Sequence, residues 1–157
     1  MLSANRTKIF FLLITSLLVS CDGTLGAFQP LQFPISKNKL EIAIDSLYSI
    51  HPEYKIPDKW KEENDWSKRG FNFLNSRIFY FKENPEEMYY TSIRVGNDSL
   101  THIDIAIRSV FEDKKMKWLK QEDFSKEEET RIQERFKKEI ISKLEKYTNS
   151  KSIDLDY

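Results

Sequence analysis

The chain has 157 residues, 25 basic against 25 acidic side chains, and a composition that is 39% hydrophobic and 32% charged. That is enough for one domain with a real core and too little for two ordinary ones, and the even charge leaves no overall electrostatic footprint for nucleic acid or anionic lipid. A single cysteine, Cys21, excludes an internal disulfide and cysteine-built zinc sites; with only His51 and His102 besides, neither a metal centre nor a cofactor is expected.

Residues 1 to 8 carry Arg6 and Lys8 and no acid, and Ile9 to Val19 then run without a charge before Ser20 and Cys21. As a helix those eleven residues would reach only about 16 Å against a hydrocarbon core of roughly 30 Å, so a cleaved leader fits better than a membrane span. The leader closes on Leu18-Val19-Ser20-Cys21 and not on the small-residue site of ordinary secretion. These four residues resemble the lipobox of bacterial lipoproteins. The resemblance implies a diacylglyceryl group on the Cys21 thiol, cleavage between Ser20 and Cys21, and acylation of the new amino terminus. It also implies export to the bacterial cell envelope and membrane anchoring through lipid alone. Two or more acyl chains, at about 0.8 kcal/mol per buried CH₂, hold a protein stably where one would not. In some bacteria an Asp after the lipidated Cys, here Asp22, retains the protein at the inner membrane; inner and outer membrane both stay open.

Cleavage leaves 137 residues with 23 basic and 25 acidic side chains, because the leader holds Arg6 and Lys8. The expected division is residues 1–20 as signal peptide, 21–36 as lipidated N-terminus and tether, and 37–157 as one domain. Gly23, Gly26, Pro30 and Pro34 interrupt regular structure in the tether. Fifteen flexible residues would hold the domain roughly 20 Å from the bilayer on average and about 50 Å at full stretch. Phe28, Leu31, Phe33 and Ile35 are too apolar for a solvated spacer, so the second half is expected to lie against the domain.

Ser36 is a good N-cap, and Leu40, Ala43, Ile44, Leu47 and Ile50 recur at helical spacing until His51-Pro52 stops the helix. His51 reads as a polar helix end in preference to a general base. The charged connector from Glu53 to Gly70 carries Trp60 and Trp66, whose rings are expected to fold onto apolar surface; an aromatic ligand platform is the sharper alternative.

Three strands follow: Phe71 to Phe81, Met88 to Val95 and Leu100 to Phe111, joined by turns at Asn84-Pro85-Glu86 and Gly96-Asn97-Asp98-Ser99. In the third, Ile103, Ile105, Ile107 and Phe111 are expected on one face, and His102, Asp104, Ala106 and Arg108 on the other. Phe71, Phe73, Phe79 and Phe81 would pack with the isoleucines against the two helices, which leaves Leu74, Ile78 and Tyr80, with Met88 and Tyr90 on the neighbouring strand, opposite. A sheet apolar on both sides needs cover on both sides. The tether and the tryptophan connector are the expected cover, and a partner protein the alternative.

Ser125-Lys126-Glu127-Glu128 forms a capping box, after which Ile132, Phe136, Ile140 and Leu144, widened by Ile141 and Tyr147, make the apolar stripe of a C-terminal helix. Ile153, Leu155 and Tyr157 alternate and suit a short edge strand. The expected fold is therefore α+β, a three-stranded antiparallel meander packed against an N-terminal and a C-terminal helix. No catalytic motif stands out. The favoured function is non-catalytic binding of another envelope protein or a ligand; the rival is a small envelope hydrolase using His102 and Asp104.

Overall fold

The computed structural model describes residues 28–64, 75–83, 85–95 and 101–155. Cys21, Trp66, Phe71, Phe73, Leu74, the turn at 96–99 and Tyr157 lie outside them. The fold is α+β. Its first described element is a strand, β1 (Leu31–Phe33), followed by α1 (Lys37–Ile50) and two short 3-10 segments, Pro52–Tyr54 and Asp58–Glu63. Then come β2 (Ser76–Phe81), β3 (Glu87–Val95), β4 (Ile103–Glu112) and β5 (Lys117–Leu119). One long helix closes the domain as α2 (Lys126–Phe136), a π segment (Lys137–Ile141) and α3 (Ser142–Thr148), before β6 (Ile153–Asp154).

The sheet has six antiparallel strands where the sequence suggested three, in the order β2-β3-β4-β1-β6 with β5 also on β4. The expected meander is its centre. One flank of β4 pairs with β3 along its length, and the other is divided between β1, which faces Ile103 to Ile105, and β5, which faces Val110 to Glu112. Between these two partners the Phe28 N–H donates to the Ile107 carbonyl at 3.2 Å. The second half of the expected tether is thus sheet: Phe28, Leu31, Phe33 and Ile35 are all buried. Pro30 and Pro34 bracket β1 and keep it short, because neither ring leaves an N–H for a ladder.

The Ser36 side chain caps α1 by accepting from the Lys39 N–H, and Leu40, Ala43, Ile44 and Leu47 go into the core. His51 ends the helix ahead of Pro52. Ser125 and Glu128 form the reciprocal capping box of α2. The stripe that follows has a geometric problem, since a spacing of four overshoots the helical turn by about 40° each step and drifts about 120° from Ile132 to Leu144. The π segment holds more residues per turn and takes up that drift. Ile132, Phe136, Ile140 and Leu144 all remain fully buried.

Phe79, Phe81, Tyr89, Ile103, Ile105, Ile107 and Val110 face the helices in the main core. Phe111 does not join them. The β3–β4 register shifts between Tyr90 and Thr91, so that Ser109 opposes Tyr90 and Ile107 opposes Thr91, with Arg108 as the extra residue. Such a bulge inverts the alternation beyond it. Phe111 therefore falls on the second face with Ile78, Tyr80, Met88 and Tyr90. That face is covered by the connector: Trp60 packs on Phe111 at 5.1 Å between ring centroids, and Ile56 and Trp118 border the cluster.

Two local features matter later. β2 is an outer strand, and because the Asn75 carbonyl accepts from Ile93 N–H, the ladder turns the carbonyls of Ser76 and Ile78 outward. The Tyr48 hydroxyl donates to Ile78 O at 2.7 Å and the Arg77 guanidinium to Ser76 O at 2.9 Å. The β4–β5 hairpin turns through Asp113–Lys115 and Met116, which has φ 51° in the left-handed region. That conformation costs a residue with a Cβ on the order of 1 kcal/mol.

Candidate functional site

The residues that suggested chemistry fall in different local settings. His102 precedes β4, is exposed, and has Nδ1 3.0 Å from the Thr101 hydroxyl. Asp104 is 3% exposed, and its carboxylate accepts from Gln32 Nε2 at 2.9 Å and from Arg94 at 3.4 Å. Asp104 thus joins β1, β3 and β4. Arg108 is the bulged residue and lies outside the strand alternation that had aligned it with them. His51 ends α1 with Nδ1 2.9 Å from Glu53 Oε1, a polar helix terminus. Among the described residues no group of three or more His, Cys, Asp and Glu is placed to hold a metal ion.

Trp60 is covered surface and not a platform. Its ring lies on Phe111, and its N–H donates to Glu86 Oε1 at 3.1 Å. The Tyr80 hydroxyl donates to the same oxygen at 2.7 Å, and Lys59 Nζ reaches it at 2.5 Å. Burial alone would raise the Glu86 carboxyl; these three donors outweigh it and hold the group down to about 2. Tyr80, the residue that suggested an exposed partner surface, is 8% exposed.

A groove of about 550 Å³ lies where the end of β2 and the first 3-10 segment meet α2 and the π segment. Its floor rests on Glu87, whose side chain is fully buried. Arg131 meets that carboxylate in a two-pronged pair, Nη1 to Oε2 at 3.0 Å and Nη2 to Oε1 at 2.5 Å. Tyr89 donates to Oε2 at 2.9 Å, and Arg135 approaches the same oxygen at 3.3 Å. Such a fork suits guanidinium and carboxylate geometry, and a buried carboxylate needs this many donors. The hydrogen bond to Glu87 raises Arg131 further, while burial, followed by the Glu87 charge, pushes the Tyr89 phenol up.

Arg135 does more than pair. It lies 4.6 Å over the Phe81 ring and donates to the carbonyls of Pro85 and Glu83 and to Glu139, clamping the β2–β3 turn to the helix. On the far wall Tyr54 donates to Glu139, and burial followed by the Glu139 charge pushes its phenol up to about 12. Among the described residues the lining includes Lys82, Glu83, Glu134 and Lys138 and no Ser, Thr, Cys or His. Its cations and anions answer one another, so the groove suits a polar, mixed-charge surface of a partner or ligand. Sequence reading missed Glu87 and its two arginines. The available signal was Arg131 and Arg135 at an i, i+4 spacing on one helix face.

No described helix is long and apolar enough to cross a membrane. Comparison with protein-family models, with curated proteins and with solved structures returned no match for this chain.

Proposed function

We propose that this chain is a lipid-anchored protein of the bacterial cell envelope, cleaved before Cys21, whose domain binds another envelope protein or a ligand without catalysis. The observation that carries it is the run from Arg6 through the charge-free Ile9–Val19 segment to Leu18-Val19-Ser20-Cys21. Two structural facts support the binding half. The second sheet face is closed by Trp60, Ile56 and Trp118, and the mixed-charge groove lies between the end of β2 and α2. The hydrolase alternative gains nothing from the geometry, because the Asp104 carboxylate is engaged by Gln32 and Arg94.

Labelled palmitate fed to cells should enter the wild-type protein and not Cys21→Ser, and the mature mass should lack residues 1–20. Equal labelling of the two proteins would defeat the anchor. For the binding half, a photo-crosslinker at the exposed Glu134 or Lys138 should trap one defined envelope component in living cells, and a crosslinker at exposed Ile42 should not. Identical adduct patterns at all three positions would count against the groove.

A further inference from the structure

We propose that the β4–β5 hairpin tip, Lys114 to Lys117, rests on the anionic headgroups of the membrane that carries the lipid anchor. The inference rests on the proposed lipidation of Cys21 and adds to it which end of the domain faces the bilayer.

The first observation is the short leash. Phe28 is already buried and hydrogen-bonded to Ile107, only seven residues after Cys21. Seven residues span at most about 25 Å and about 15 Å on average, well below what a fifteen-residue tether allows. The second is direction. Travelling back from Phe33 to Phe28 moves along β4 from Ile103 to Ile107, toward Glu112 and the hairpin. The chain therefore reaches β1 from the hairpin end of the sheet. Side-chain contacts agree: Lys115 Nζ lies 5.8 Å from the Phe124 ring, whose centroid is 6.1 Å from that of Phe28.

The third observation is the composition of the tip. Its exposed residues are Lys114, Lys115, Met116 and Lys117, while Glu112 and Asp113 beneath them are half-buried. Lys115 pairs with Glu112 at 3.0 Å; Lys114 and Lys117 add to the positive end. Met116 is 57% exposed at a left-handed position where glycine or asparagine is the usual choice. An exposed thioether chain set among lysines fits a headgroup layer, into which the methionine dips while the ammonium groups meet phosphate. The even net charge of the whole chain hides this local cluster.

The test uses the full mature lipoprotein in vesicles of phosphatidylcholine, with and without roughly a third phosphatidylglycerol. Lipidation consumes the thiol of the chain's only cysteine, so Met116→Cys or Val95→Cys supplies one site for an environment-sensitive fluorophore. Val95 is exposed at the opposite end of β3, eight residues from Glu87 and so about 26 Å away along the strand. Quenching by lipid-borne spin labels is expected to be roughly threefold or more stronger at 116 than at 95 in the anionic vesicles. The difference should vanish in 1 M salt and in the Lys114→Glu, Lys115→Glu, Lys117→Glu background. The salt arm decides the matter should the triple variant not fold. Equal quenching at the two positions, in protein whose mass shows the lipid on Cys21, overturns the tip contact and leaves the anchor standing. An unmodified Cys21 overturns both.

Discussion

Glu86 and Glu87 are neighbours in the chain and serve opposite faces of the sheet. Glu87 turns toward the helices, where Arg131, Arg135 and Tyr89 surround a carboxylate with no exposure. Glu86 turns toward the connector, where Lys59, Tyr80 and Trp60 converge on one oxygen of a carboxylate that keeps 22% of its surface. Each acid pins the cover of its own face, but the covers differ in kind. One is a regular helix with an apolar stripe; the other is a 3-10 turn carrying a single buried tryptophan. Stability should therefore be unequal: global on the helix side and local on the connector side.

The contrast is sharpest in the core. Phe136→Ala removes a fully buried ring that touches Phe79 and Tyr89, and should cost about 4 kcal/mol in denaturant unfolding, with loss of all structure together. Glu87→Gln leaves Arg131 without its anion and removes one of the two carboxylates that Arg135 meets. The full penalty for breaking a buried pair is discounted here because the Arg131 side chain is 35% exposed, which gives about 3 kcal/mol. Trp60→Ala should cost about 2 kcal/mol, because the ring is already at the rim, and hydrogen exchange should rise in β2 and around Phe111 before it rises in α2. Uniform exchange in that variant would erase the distinction between the two covers.

The smallest effect is one of pH. Glu86 is depressed to about 2, so its contribution is complete above the ordinary carboxylate range near 4.5 and is lost as pH falls through about 2. Tryptophan emission should change in that window while the helical circular dichroism holds, and Glu86→Gln should remove the change. Emission and helicity falling together would show the faces to be one cooperative unit.

Local signals made both helices legible, since Ser36 and Ser125 cap where they were expected and the buried stripes follow. Of the short strands, β6 was signalled by the alternation of Ile153 and Leu155 and pairs with β1 at the sheet edge. β1 and β5 have three residues each, too few for a periodicity, and they exist because β4 offers a free flank. Phe111 was assigned to the wrong face because a one-residue bulge at Arg108 has no signature in composition. Of the candidate site, the shared face of Ala106 and Asp104 was readable, but the partners that claim Asp104 come from 72 residues upstream and ten upstream, Gln32 and Arg94. The groove was equally remote, with Arg131 reaching 44 residues back to Glu87.

The hydroxyl of Tyr48 and the guanidinium of Arg77 sit on the outward carbonyls of β2. An outer strand with open carbonyls is the feature that feeds strand-to-strand fibre growth. With those two acceptors already occupied, a neighbour's backbone has less to pair with along β2. Two side chains thus blunt an edge that would otherwise template pairing between copies of this chain.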